Sequence, residues 1–459
     1  MRLLVSAQLW CHAWFARMSG FTRLAGSYRL HPGQTPGISG HRPVLGQGLL
    51  TRLLRGQSGE TVERTLSALF TLCSHAHRRT ARLVLNAARW PGQAALPEPP
   101  KLLLTLETAR DHLRSIALDW PRQLVLLALP DRSDDGSNHL LALMESAQHA
   151  IKINSFDWLK ACPLALSQTH LAPTWQEAEH ALTQLRHWLE VSVLQQPPDD
   201  WLAQHCTPDA LVQWCRNRST DLPPAQFLAA CHRQASALIP GARTLDVLDH
   251  HPQEQAAKLA ELARLIVAQP DFAQFPAWCG QCLETGPWAR LRHRRLEPGS
   301  AAANRPTDKP SAWVRLASRW LELIELANAP VTLGSPPPEQ KAIAAPGIVA
   351  NDMALPALLG PGKDRPAALS SGALKLGDGQ AIAWCEMARG LLLHWVQLDT
   401  QGKVADYRVI APTEWNFHPQ GALSLAVSAL PPQDTASACI LGAAYDACVE
   451  CSVISSGSK

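Results

Sequence analysis

The sequence predicts an α-rich α+β fold, with a long helical body followed by a small β-containing carboxy-terminal part. Three observations carry this. A stripe of apolar and small side chains at helical spacing runs through Val62, Leu66, Leu69, Cys73, Ala76, Thr80, Val84 and Ala87. Residues 101–290 continue mostly helical, punctuated by Pro pairs at 197–198 and 223–224. Near the end the pattern changes: Leu391 to Gln397 and Tyr407 to Ile410 read as strands about the turn DTQGK at 399–403.

In chain order, residues 1–50 form an irregular amino-terminal segment, its part from 19 rich in Gly, Pro and Arg and suited to loops with short strands. Residues 51–328 form the helical body. Its first strong helix has Glu60 and Glu63 near the start, where acidic groups suit the helix dipole, and stops at Pro91 and Gly92. Residues 296–311 read as a linker or surface loop, and Trp313 to Asn328 as a further helix. Residues 329–372 are dense in Pro, Gly and Ala without a period, an irregular segment. Residues 373–459 form the carboxy-terminal part, with a last helix from about Gly421 to Leu430. Motifs at both ends are expected to meet at one buried site, making the chain one folded unit.

Composition excludes several classes. The length of 459 residues suffices for a sizeable core. A net charge of +3 with interspersed signs lacks the basic face of a nucleic-acid binder. Sixteen Trp against three Tyr mean much apolar area to bury, without naming a ligand. No apolar run is long enough to span a bilayer. The first twenty residues loosely resemble a signal peptide, but Gln8 and His12 interrupt the apolar stretch and no small-x-small cleavage site is clear, so a cytoplasmic location is expected. Twelve cysteines are too dilute for a disulfide scaffold, and most should be ordinary buried residues.

Two segments contain cysteines that could carry chemistry. LFTLCSHAH (69–77) places Cys73 and His77 four residues apart on one helical face; alone, it reads equally as a buried Cys beside a partly buried His. AYDACVECSVI (444–454) contains Cys448 and Cys451 at a spacing that lets two thiolates bind one metal centre. With Cys73 and His77 they would also complete a zinc site.

The segment EMARGLLLHWVQLDTQGKVADYRVIAPTEWNFHP (386–419) resembles the nickel–iron hydrogenase large subunit. In that family an E-A-P-R-G-x-L-x-H-W segment leads through a strand pair to P-T-x-W-N and on to D-P-C-x-x-C-x-x-H. The matching residues are Glu386, Arg389, Gly390, His394 and Trp395, then Pro412, Thr413, Trp415 and Asn416, then Asp446, Cys448 and Cys451. ALFTLCSHAH (68–77) falls on the family's R-I-C-G-x-C-x-x-x-H, and IALDWP (116–121) is similar to a helical Leu-Asp-Trp segment that follows it. Residues from about 125 to 375 carry no comparable resemblance.

The resemblance implies a nickel–iron hydrogenase large-subunit-like fold and a metal site with departures. Four cysteines hold the metals in that family, two bridging nickel and iron and two binding nickel only. Cys73 and Cys451 fall on the bridging positions and Cys448 on one nickel-only position. The other is Phe70, which has no donor atom, so the ligands for iron are kept and those for nickel are spoiled. The family's iron carries two cyanides and one carbon monoxide; with two thiolates on iron(II) the group has two net negative charges, whose burial requires counter-charge and hydrogen-bond donors. Arg389, Pro412 and Thr413 fall on the positions that face the cyanides; a guanidinium supplies charge and a hydroxyl a donor. The family's last His is replaced by Ile454, and the extension cut off behind that His in the enzymes is expected to be lacking. These features resemble the HupK/HoxV type of hydrogenase accessory proteins, large-subunit relatives implicated in building the iron cofactor.

The expected function is therefore non-enzymatic: a scaffold that transiently holds the iron–cyanide–carbonyl group, without nickel. The expected partners are maturation proteins that deliver the group and an apo hydrogenase large subunit that receives it, with no nucleic acid and no membrane. A divergent hydrogenase and a zinc-stabilised structural protein using Cys73, His77, Cys448 and Cys451 are the alternatives. WCGQC (278–282) looks like a thioredoxin active site, but a helix and a Pro-containing loop precede it and no βαβ pattern surrounds it, which points to an incidental or accessory thiol pair.

Overall fold

The computed structural model describes residues 26–46, 48–90, 101–120, 123, 174–205, 207–219, 222–241, 243–248, 251–291, 310–329, 348–349 and 369–454. The linker expected at 296–311 and the irregular segment at 329–372 lie almost wholly outside the described residues, as do the first twenty-five.

The chain opens with strands β1 (Ser27–Leu30) and β2 (Ile38–His41), then helices α1 (Leu49–Leu54), α2 (Gly59–Leu69), α3 (Ser74–Ala88) and α4 (Lys101–Arg114), the last running into a π turn at Ser115–Asp119. The body continues through α5 (Trp175–Trp188), α6 (Pro198–Gln204), α7 (Pro208–Asn217) and α8 (Pro223–Ala237). The two Pro pairs open α6 and α8, where the missing N–H of proline goes unused in any case. Next come β3 (Arg243–Thr244), α9 (Pro252–Ala268), β4 (Leu283–Glu284), α10 (Pro287–Leu291) and α11 (Ala312–Ala327). The carboxy-terminal part holds β5 (Ile348–Val349), β6 (Ser371–Gly377), β7 (Gln380–Met387), β8 (Gly390–Leu398) and β9 (Val404–Ile410), then α12 (Pro412–Asn416), α13 (Ala422–Ser428), α14 (Thr435–Tyr445) and β10 (Glu450–Val453).

β5 to β9 form one antiparallel sheet in sequence order. The two faces alternate along each strand, as a pleat requires. Ala381, Ala383 and Cys385 of β7, with Leu392 and Val396 of β8, lie on the face toward α3, where small side chains let the helix approach. Ile382, Trp384, Leu391, Leu393 and Trp395 face α9 and pack with Leu259, Leu262 and Ile266. The sheet is thus buried on both sides.

α11 runs through the centre of the helical body, with all its residues except Val314 buried. Its charges are paired: Arg315 forks onto Glu284 at 2.8–3.1 Å, and Glu322 receives Arg290 at 2.6 and 2.7 Å and His112 at 2.7 Å. β10 pairs in parallel with β1, giving a small sheet of order β10-β1-β2 that joins the two ends of the described chain.

The stripe from Val62 to Ala87 is two helices rather than one. α2 ends at Phe70 (φ −118°, ψ 62°), and a 3-10 turn, Thr71–Cys73, leads into α3. The periodicity survives because the turn is short and both helices bury the same side.

Candidate metal-group site

The break at Phe70 places Cys73 at the N-cap of α3. A carboxylate from another helix satisfies the exposed N–H groups of this helix start: Glu107 of α4 accepts from the backbone of His75 and Ala76, both at 2.8 Å. Arg110, one turn on, donates to the carbonyl of Leu72. Burial pushes the Cys73 thiol well above the ordinary range; nearby Cys448, Glu107 and Asp111 push the same way, and Arg42 opposes them.

Arg389 occupies the two-residue tip of the β7–β8 hairpin, between the paired Met387 and Gly390, yet is only 2% exposed. The tip is held by Asn416, which donates to the Arg389 carbonyl at 3.3 Å and accepts from the Thr285 N–H at 2.9 Å. Gly390 has φ +130°, and a Cβ there would stand 2.4 Å from the Thr285 side chain, so glycine is required. The guanidinium donates to Asp111 at 3.1 Å and to the Asp446 carbonyl at 3.0 Å, and it lies 3.4 Å from the Asp446 carboxylate. Burial alone would lower its pKa, but Asp446, Asp111, Cys448 and Cys73 together raise it, so it stays charged. Its Nη2 is buried and has no hydrogen-bond partner.

Asp446 caps α14 with positive φ (50°) and turns the chain toward Cys448. Burial would raise its pKa, yet Arg389, Arg319 and Arg114, with the Ser115 hydroxyl at 3.1 Å, hold it down at about 2. Cys448 lies in the bend before β10, its Sγ 3.2 Å from the Thr413 hydroxyl. Pro412 and Thr413 begin α12 and are buried. Glu414, next in α12, lies 3.8 Å from Arg42 and accepts from the Tyr28 hydroxyl at 3.3 Å. Burial pushes the Glu414 carboxyl up to about 7, against the pull of Arg42.

Arg42 was not legible from the sequence. Its guanidinium lies 5.1 Å from the centre of the Phe70 ring, within cation–π range, and its Nε is buried without a hydrogen-bond partner. Burial would lower its pKa, but Cys448, Glu414, Cys73 and Tyr28 raise it. Two guanidinium groups thus act on the same two thiols, and each keeps one unused buried donor.

Phe70 stacks on His77 with ring centroids 3.9 Å apart and planes at 6°. His77 Nδ1 lies 3.1 Å from His394 Nε2, and His394 Nδ1 lies 2.7 Å from the Tyr407 hydroxyl. Burial holds both imidazoles neutral, driving His394 down to about 3 and His77 well below its ordinary value.

Cys451 is placed differently. It lies in β10 opposite Tyr28, is exposed, and a Cβ built on Gly442 of α14 would lie 3.9 Å from its Sγ. Among the described residues, no three His, Cys, Asp or Glu side chains form a group able to hold a metal ion. Cys73 and Cys448 share one charged environment; Cys451, paired with Tyr28, lies on that residue's face of the sheet, and burial pushes its thiol up to about 12.

A family model described as nickel-dependent hydrogenase matches residues 368–428, the stretch from β6 to α13 that carries Arg389, Pro412 and Thr413. The hydrogenase expression/formation protein HoxV of Cupriavidus necator is 37% identical over 442 residues, 94% of this chain and 96% of that protein. The chain belongs to the HupK/HoxV family of hydrogenase expression/formation proteins. A second member, HupK of Bradyrhizobium diazoefficiens, is 29% identical over 409 residues, 87% of this chain and 88% of that one. In fold, the chain is similar to the nickel–iron–selenium hydrogenase of D. vulgaris Hildenborough, with a TM-score of 0.49, 13% identity, and coverage of 89% of this chain and 92% of that one.

The hydrogenase resemblance of this HupK/HoxV-family chain implies an iron group bearing cyanides and carbon monoxide. A dianionic iron group suits two buried cations with free N–H donors beside a hydroxyl and two thiols. Phe70, which the resemblance puts at a nickel-only position, has no donor atom and packs against an imidazole.

WCGQC forms a tight turn rather than the start of a helix. Trp278 and Gln281 exchange backbone hydrogen bonds at 3.0 and 2.9 Å, Cys279 and Gly280 have φ of 51° and 70°, and β4 follows. Cys282 Sγ lies 3.1 Å from His418 Nδ1, and burial pushes its thiol up rather than down.

Proposed function

We propose that this protein is a scaffold for assembly or transfer of the iron group bearing two cyanides and one carbon monoxide, destined for an apo nickel–iron hydrogenase large subunit. One observation carries the reading: Arg389 and Arg42 are buried beside the thiols of Cys73 and Cys448, and each keeps an N–H without a partner. Unsatisfied buried donors are costly, and an anion with acceptor ends directed at them removes the penalty. The names of the relatives, expression/formation proteins, support a maturation role without catalysis. The partners in this reading are maturation proteins that supply the iron group and the apo large subunit that takes it.

A hydrogenase activity is disfavoured by Phe70, whose ring offers no ligand. A zinc role is disfavoured because His77 already engages His394. Among the described residues no helix is long and apolar enough to cross a membrane. The test is infrared spectroscopy with metal analysis on protein purified anaerobically from its host. Cyanide and carbonyl stretching bands with iron and little nickel are expected; equimolar nickel, or zinc without those bands, would overturn the reading.

A further inference from the structure

We infer that the cavity between β4, α10, α11 and α14 is a binding site for one small monovalent anion of halide size, held by Arg319. The site is separate from the thiols and does not rest on the scaffold reading.

Among the described residues, the lining includes Glu284, Trp288, Arg315, Arg319, Arg389 and Tyr445. The cavity measures about 20 Å³, room for a guest near the size of one water molecule. Three guanidinium groups thus face one carboxylate. That carboxylate is already engaged: Arg315 forks onto Glu284 at 2.8–3.1 Å and lies over the Tyr445 ring at 4.9 Å. Arg389 is held between Asp111 and Asp446.

Arg319 is the lining cation left under-compensated. It comes from the central helix α11 and is 2% exposed. Its Nη1 and Nη2 donate to the carbonyls of Ala443 and Ala444 at the end of α14, at 3.0 and 3.4 Å. The Asp446 carboxylate stands off at 3.9 Å, and Nε is buried without a hydrogen-bond partner. The electrostatics single out the same residue. Arg290, Arg315 and Arg389 are also buried, yet their acidic partners more than offset burial and raise their pKa. Arg319 is pushed down: burial lowers it, Asp446 opposes, and the like charge of Arg389 adds to burial. A water molecule would satisfy Nε but leave the charge as it is. A small anion meets both needs with a charge-assisted hydrogen bond. Tetrahedral oxyanions such as sulfate are too large for this space.

The experiment uses the full-length protein purified anaerobically from its host and held in sodium gluconate, whose anion is too large for the cavity. Bromide is the probe. Crystals grown in sodium bromide should show an anomalous bromide peak in the cavity beside Arg319 Nε, a readout that needs no variant. In solution, stability to denaturant should rise with the logarithm of bromide concentration above its Kd, as a ligand that binds only the folded state requires. Gluconate at equal ionic strength should have no such effect. Arg319→Met should weaken bromide binding by about ten- to a hundred-fold, the usual weight of a hydrogen bond to a charged group. Arg319→Lys, which keeps the charge but lacks Nε, should retain part of the affinity. Cyanide and carbonyl band intensities should not fall as bromide is added. A cavity that holds only water, bromide peaks confined to the protein surface, or unaltered affinity in Arg319→Met overturns the site. So do bands that vanish in proportion to bound bromide, since the cavity would then belong to the iron group. If wild type lacks the bands altogether, the scaffold reading fails, and the crystals and the bromide titration still decide the anion site.

Discussion

The Phe70 ring lies flat on the His77 imidazole, centroids 3.9 Å apart, and is covered by the Arg42 guanidinium. Three groups that could each face a metal thus pack on one another. Phe70 fills space as well as lacking a donor. Phe70→Ala should destabilise the fold by about 3–5 kcal/mol, in line with other large-to-small changes in cores. Denaturant unfolding measures this, and metal analysis of the native protein should give iron with little nickel. A Phe70→Ala protein as stable as wild type would show that the stack does not contribute to the core.

By its resemblance, Arg389 reads as a charge that faces the cyanides. The structure places it between two buried carboxylates, Asp111 at 3.1 Å and Asp446 at 3.4 Å. Arg389→Ala should therefore weaken the fold as well as abolish the infrared bands, by about 3–5 kcal/mol, the usual effect of leaving buried partners uncompensated. Arg389→Lys keeps the charge but not the planar fork, and should restore most of the stability while retaining part of the bands at shifted frequency. Full-intensity, unshifted bands in Arg389→Ala would remove Arg389 from the site.

The turn at 399–403, the flanking strands and the helix starting near Gly421 were legible in the sequence because each rests on local chemistry: alternation, turn residues and apolar spacing. The break at Phe70 was not, because the interruption preserves the helical stripe and depends on Glu107, which arrives from α4. Arg42 lies in a Gly- and Pro-rich stretch, where nothing local distinguishes a buried cation from a surface one. The Cys-x-x-Cys spacing shows that Cys448 and Cys451 lie near each other, but the facing of Cys451 is set by β10 pairing with β1, a contact between chain ends.

Glu414 makes stability depend on pH in a specific direction. Its folded pKa is raised to about 7, chiefly by burial, so the folded state binds the proton more tightly than the unfolded state. That contribution is fully present below the unfolded value near 4.5 and is lost as pH rises through 7. Gln mimics the protonated carboxyl. Glu414→Gln should match wild type at low pH and become the more stable protein above neutrality, by up to roughly 3 kcal/mol. Chemical unfolding at pH 5 and pH 8 measures the gap; a gap that does not change with pH would mean that Glu414 does not titrate in this way.

The chain from Tyr407 through His394 to His77 has one proton arrangement that satisfies its buried groups. The Tyr407 hydroxyl has a single partner, so it must donate to His394 Nδ1 or leave a buried O–H unmet. His394 then carries its proton on Nε2 and donates to His77 Nδ1. His77 in turn holds its proton on Nε2. Nitrogen-resolved NMR of labelled histidines should show both rings in the Nε2–H form, and His394 should stay neutral far below its ordinary titration range because burial lowers its pKa to about 3. The sign is opposite to that of Glu414: a depressed histidine contributes stability above its unfolded value near 6.5, and that stability is lost as pH falls toward 3. Tyr407→Phe removes the donor and leaves Nδ1 unsatisfied, which should cost about 1–3 kcal/mol. Neither tautomer of His394 gives Nδ1 a partner once the hydroxyl is gone, so the Nε2–H bond to His77 Nδ1 should keep both rings in their original form. The variant should therefore lose stability while both rings keep their Nε2–H signals. A change confined to His394 would mean that the two imidazoles are not hydrogen-bonded to each other.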